Sequence, residues 1–170
     1  MVVLKKYFID VKKILLIFLL SGHNYLAAQN IELIKFDDLK SRVMVSNDTL
    51  YVLNFWATWC KPCVQELPYF EQCNAEYKNK AVKIILINLD FNTHVKNVAE
   101  PFIRKKNIRS SVIHISETNS DAWINKIDSS WSGAIPATSM YKNSKKEFFR
   151  EGSMTEKELK KVLDLKLLKD

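Results

Sequence analysis

The sequence predicts an α/β domain, a central mixed sheet with helices on both faces. Two near-continuous apolar runs, Leu50–Ala57 and Ala81–Leu89, read as strands buried on both sides, because a strand covered by helices has no reason to alternate. Between and after them, apolar residues recur at helical spacing. Beyond an opening helix, the resulting order β-α-β-α-β-α-β-β-α is that of a sheet wrapped by its own crossover helices.

The elements can be justified in turn. Phe36–Val43 reads as a short helix, and Leu50–Ala57 as the first buried strand. From Lys61 to about Asn79, a helix sets Cys63, Leu67, Phe70, Cys73 and Tyr77 on one stripe, with Pro68 expected to kink it. Ala81–Leu89 is rich in β-branched residues. Val95, Val98, Ala99, Phe102 and Ile103 suggest a further helix ending near Asn107, and Pro101 blurs its start. Val112–Ile115 is a third strand and Asp121–Ile127 a short helix. Ala137–Tyr141 and Lys146–Arg150 pair around a turn at Lys142-Asn143-Ser144. Thr155-Glu-Lys-Glu158 is a capping-box pattern opening a last helix, whose inner face is Leu159, Val162, Leu163 and Leu167.

Composition bounds what such a chain can do. Its 170 residues suit one core, and 47% hydrophobic content with only three glycines excludes disordered and fibrous classes. The net charge of +7 invites a nucleic-acid reading until the charges are located. Lys5, Lys6, Lys12 and Lys13 precede a seven-residue apolar run, Ile14–Leu20, followed by Ala27 and Ala28. These are the three parts of a secretory signal peptide, although Leu26 departs from the preferred small residue. The run is far short of the roughly 20 residues that cross a bilayer. Cleavage after Ala28 is expected, with an uncleaved membrane anchor as the alternative. Without residues 1–28 the chain keeps 22 basic and 18 acidic side chains, net +4 over 142 residues, and no nucleic-acid partner is expected. Residues 29–170 read as one domain, monomeric by default.

The chemistry lies in Trp56-Ala-Thr-Trp59-Cys60-Lys61-Pro62-Cys63, where the first buried strand meets the long helix. Two cysteines three apart at a helix start can close a small disulfide ring. Outward-facing N–H groups and the helix dipole favour a thiolate at the first, lowering its pKa from about 8.5 towards about 3.5–7.5. Cys60 is then the attacking thiolate and Cys63 the resolving thiol. Pro62 suits the first helical turn, where a missing N–H is not felt. Haem attachment would need His after the second cysteine, and Val64 stands there. Structural zinc would need further ligands, but Cys73, His94 and His114 lie singly. A purely structural disulfide is the remaining alternative.

The segment Val52-Leu-Asn-Phe-Trp-Ala-Thr-Trp-Cys-Lys-Pro-Cys-Val-Gln-Glu-Leu-Pro68 resembles the active site of exported thioredoxin-fold oxidoreductases, the TlpA-like branch with its ResA-type proteins. The resemblance follows element order over most of 36–168. It implies a thioredoxin fold, thiol–disulfide exchange without a cofactor, and a redox disulfide Cys60–Cys63. It implies that Ile135-Pro136 is a cis-proline segment facing the cysteines, where Ile135 docks substrate backbone and Pro136 keeps metal off the thiols. Trp59, Lys61 and Pro62 would complete the substrate-binding surface. Oxidised proteins such as apocytochrome c would be substrates, a membrane thiol donor would supply electrons, and the site of action would be periplasmic or in the cell envelope.

One departure matters. Cytoplasmic thioredoxins carry a buried Asp six residues before the first cysteine, and Asn54 stands there. Glu66, three residues past Cys63 on the same helix face, is the candidate proton acceptor; the other reading is an exposed Glu favoured by the first-turn dipole. Cys73 is expected to be a buried inert thiol. Trp56 and Trp59 should wall the site, Trp59 the more exposed. Trp131 could line a substrate groove or pack in the core, and Trp123 has no assignable chemistry. His94 and His114 read as structural or surface residues, and Arg104-Lys-Lys106 as a solvated helix end. An exported oxidant with the same cysteines, or a thioredoxin-fold binding or metal-handling module, are the rivals. A peroxidase fits less well, because it wants Thr three residues before its cysteine and Ala57 is there.

Overall fold

A computed structural model describes residues 30–117 and 119–168; the expected signal segment 1–28 lies outside them. The elements are β1 (Glu32–Ile34), α1 (Phe36–Val43), β2 (Leu50–Trp56), α2 (Lys61–Glu76), β3 (Val82–Asn88), α3 (Glu100–Lys105), β4 (Ser111–Ile115), α4 (Asp121–Ile127), β5 (Ala137–Lys142), β6 (Lys145–Glu151) and α5 (Glu156–Leu167). The six strands form one mixed sheet in the order β1-β4-β3-β2-β5-β6. β2, β3 and β4 run parallel, β1 joins β4 in parallel, and β5 and β6 return antiparallel.

β2 explains why the sheet is covered on both faces. Its side chains alternate between two cores. Val52 and Trp56 enter one core with Cys63, Leu67 and Phe70 of α2 and Leu159 and Leu163 of α5. Leu53 and Phe55 enter the other with Phe36 and Leu39 of α1 and Trp123 and Ile127 of α4. Because both sides are apolar, the strand reads as a continuous run.

The structure departs from the expected elements at several places. β1 was not anticipated: it is three residues long, and Leu33 is half-exposed, so there is no periodicity to detect. The helix expected from Val95 is instead a 3₁₀ turn (Asn92–His94), a π turn (Val95–Ala99) and then α3, which places Pro101 in the first turn of its own helix. α2 closes at Glu76 rather than Asn79, with Pro68 inside it. The β5–β6 turn is tighter than expected. Asn143 and Ser144 alone form it, both with positive φ (51° and 61°), as the two-residue hairpin turn matching strand twist requires.

The Thr155 capping box is present: Thr155 Oγ1 accepts from the Glu158 N–H (3.3 Å), and Glu158 Oε2 accepts from the Thr155 N–H (2.8 Å). Trp131 belongs to the core, its indole N–H donating to the Ala134 carbonyl at 2.8 Å and its ring 4.7 Å from Phe55. Among the described residues, no helix is long and apolar enough to cross a membrane.

Candidate active site

Cys60 is the N-cap of α2. Its backbone is extended (φ −83°, ψ 96°), and its Sγ accepts from the Cys63 N–H at 3.3 Å. The helix start thus directs a backbone N–H at the first sulfur, as the spacing predicts, with Pro62 in the first turn. Cys60 and Cys63 are joined in a disulfide with their Cα atoms 5.3 Å apart. The two sulfurs are unequally accessible: Cys60 is 5% exposed and Cys63 is fully buried.

The Ile135–Pro136 peptide is cis, and the Ile135 carbonyl oxygen lies 3.6 Å from Cys60 Sγ. This segment precedes β5, which pairs with β2, so the sheet itself brings Ile135 and Pro136 to the cysteine pair. Lys61 and Pro62 are exposed on the first turn of α2, while Trp59 is 61% exposed and Trp56 is buried against Phe102. Trp59, Cys60, Lys61, Pro62, Cys63, Ile135 and Pro136 therefore lie together where β2 ends and β5 begins.

Glu66 is buried, so the exposed-surface reading of this residue is wrong. Its Oε1 accepts from the Asn54 amide at 2.8 Å and its Oε2 from the Met154 N–H at 2.8 Å. Burial pushes the carboxyl above the usual carboxylate range, opposed by these two hydrogen bonds and by the Arg150 charge. The Asn54 amide also points at Thr138 Oγ1 (3.3 Å), leaving its own Oδ1 without a partner. Cys73 is fully buried on the inner stripe of α2, and burial pushes its thiol up to about 11.

A second polar group supports the cysteine turn, and sequence reasoning missed it. The N–H and hydroxyl of Thr58 donate to Asp90 at 3.1 and 2.7 Å. The Asn88 amide donates to the same carboxylate at 2.6 Å. His114, buried in β4, places Nδ1 3.2 Å from Asn88 Oδ1 and Nε2 2.6 Å from Asn92 Oδ1. Burial lowers its pKa, with Asn88 and Asp90 opposing. The available signal was Asn88 and Asp90 themselves, polar residues closing an otherwise apolar strand run. His94 is exposed, its ring meeting Phe91 edge-on.

A redoxin family model matches residues 22–120, more than half of the chain. The chain belongs to the redoxin family. Among curated relatives of this redoxin, a protein named thiol-disulfide oxidoreductase ResA from Oceanobacillus iheyensis is 43% identical over 63 residues, 37% of this chain and 31% of that one. The ResA of Geobacillus thermodenitrificans is 31% identical over 114 residues, 66% of this chain and 60% of its own. The redoxin thus spans less than two-thirds of the length of these relatives. Of solved structures, StoA from Bacillus subtilis shares 25% identity at a TM-score of 0.55, over 69% of this chain and 84% of that one. A thiol:disulfide interchange protein DsbE from Chlorobium tepidum aligns at a TM-score of 0.60 with 22% identity, over 72% and 82%. The fold of this redoxin is the thioredoxin fold, on the ResA- and TlpA-like side that residues 52–68 resemble.

Proposed function

We propose that this redoxin is an exported thiol–disulfide oxidoreductase that acts on proteins through Cys60 and Cys63. The observation that carries the reading is the pairing of the N-cap sulfur of α2 with the buried sulfur three residues on, opposite the Ile135 carbonyl. The names of its ResA relatives, thiol-disulfide oxidoreductases, support the same reading. In the reduced state, the Cys60 thiolate attacks a substrate disulfide, and one substrate sulfur leaves as a thiolate that takes up a proton. Cys63 then gives its proton to Glu66, attacks Cys60 Sγ and releases the second substrate thiolate. Two electrons pass to the substrate, and the Cys60–Cys63 disulfide remains. Ile135, Trp59, Lys61 and Pro62 bear on the substrate chain, and Pro136 shields the sulfurs from metal.

The ResA-type resemblance supports a reductant, with apocytochrome c among the substrates and a membrane thiol donor restoring the dithiol. The basic start, apolar run and Ala27-Ala28 support export, with residues 1–28 as the signal. An insulin-reduction assay tests the exchange: turnover should depend on Cys60, and a Cys60→Ser protein that still turns over refutes it. Equilibration with dithiothreitol or glutathione buffers then decides direction. A potential near about −270 mV marks a reductant, and one near about −120 mV a disulfide-forming oxidant.

A further inference from the structure

Among the described residues, the exposed aromatic side chains are Trp59, at 61%, and Phe91, at 69%. Both line one cleft of about 550 Å³, within the roughly 300–1,000 Å³ range of ligand sites. Its apolar lining includes Leu89, Ile115, Trp123 and Ile124, and its charged lining is Asp90 and Glu117 with no lysine or arginine, although residues 29–170 carry a net charge of +4. Two large exposed aromatics at a concave acidic site on a basic protein are unexpected unless something covers them.

Two observations connect the cleft to the cysteines. Ile135 lines it while its carbonyl lies 3.6 Å from Cys60 Sγ. Asp90, which also lines the cleft, holds both the N–H and the hydroxyl of Thr58, two residues before Cys60. Cleft wall and cysteine turn are therefore one hydrogen-bonded unit. Phe91 itself is braced by His94, whose ring meets it edge-on at 5.5 Å. Glu117 is held at one oxygen by the Phe36 N–H (2.8 Å), and its other oxygen has no partner.

We propose that this cleft is a specificity subsite for the polypeptide stretch flanking the substrate's reacting cysteine, and that the stretch carries an aromatic or branched apolar side chain beside a lysine or arginine. The proposal rests on the exchange chemistry above. A substrate chain bonded to Cys60 lies against Ile135, which opens directly into the cleft. An aromatic anchor there displaces water from Phe91, Trp123 and Ile124, where binding energy concentrates. Glu117, with one oxygen unpartnered, attracts the neighbouring cation and repels an acidic flank. Phe91 and Glu117 discriminate between substrates; the bond exchange itself stays with Cys60 and Cys63.

The test uses reduced full-length protein and three oxidised probes: glutathione disulfide, a symmetrical peptide disulfide with Phe and Arg beside its cysteine, and the same peptide with Gly and Ser. The wild type should prefer the Phe/Arg peptide by about tenfold, the scale of one buried anchor. Phe91→Ala should remove most of that preference while exchange with glutathione disulfide continues. Glu117→Gln should lower the rate with the Phe/Arg peptide, with little effect when norleucine replaces Arg. Equal rates for the two peptides in the wild type, or a preference that survives both substitutions, overturn the proposal. So does Phe91→Ala acting only on a monomer–dimer equilibrium, which would make a second copy the occupant. Failure of the underlying reading looks different: Cys60→Ser would then still exchange with glutathione disulfide.

Discussion

The Asn54 amide donates to Oε1 of Glu66 across 2.8 Å, joining the centre of β2 to the second turn of α2. This bond holds a carboxyl on the buried side of the helix that also carries Cys63. Replacing Glu66 by Gln keeps the shape and removes the proposed proton acceptor. Resolution of a mixed disulfide on Cys60 should slow on the order of 10²-fold near neutral pH, the usual worth of a positioned general base. Rapid-quench mass spectrometry should show the mixed disulfide accumulating. An unchanged pH–rate profile removes Glu66 from the mechanism.

The same residue leaves a mark on stability. Burial raises the folded-state carboxyl above its ordinary value, so the folded protein binds more protons than the unfolded one as pH rises from about 4.3. That contribution is unfavourable at neutral pH and disappears in acid. Urea denaturation of the wild type and Glu66→Gln across pH 4 to 7 should show the wild type losing ground to the variant as pH rises. A constant difference would mean Glu66 does not titrate in that window.

Asp90 carries the cysteine turn. Asp90→Ala strands the Thr58 N–H, the Thr58 hydroxyl and the Asn88 amide. Hydrogen bonds to a charged group are worth about 1.5–3 kcal/mol each. Partial relaxation should leave a net loss of about 3 kcal/mol in the unfolding free energy, measured by urea denaturation. Insulin reduction should fall as well, because Thr58 no longer fixes the approach to Cys60. Asp90→Asn, which keeps one acceptor oxygen, should recover part of both.

Cys73 should be chemically silent. With its thiol pushed up to about 11 and no exposed surface, it should resist iodoacetamide at pH 8 in the native reduced protein and react fully in denaturant. Rapid native labelling would make it a third reactive thiol.

What could be read in advance follows from physics that is local in sequence. The Cys60–Cys63 spacing, the strand before it and the helix after it are contiguous, so the motif and its place at the helix start were legible. So were the buried strands, whose two covered faces turn them into apolar runs. The cis segment at Ile135-Pro136 came from family resemblance; nothing in the residues themselves announces it. Glu66 was nominated but not decided, because its burial depends on the Met154 backbone, 88 residues away, and on Asn54 across the core. The Thr58–Asp90–Asn88–His114 chain joins three separate segments and carries no periodic signal. β1 was invisible because three residues with one face in solvent have no pattern, and it takes its strand conformation from β4.

The two ends of the sheet deserve a last consequence. β1 offers only three residues, and β6 presents Lys145, Lys146, Glu147, Arg150 and Glu151 along its seven. A visiting strand would have to bury those charges to extend the β6 border, and the β1 border is too short to pair more than three residues, which disfavours edge-to-edge growth. The fold can therefore keep an open apolar mouth beside its cysteines without offering the sheet margins as a template for aggregation. The two large exposed aromatics, Trp59 and Phe91, stand at that mouth rather than on either edge strand, so crowding should not convert them into nuclei for fibres.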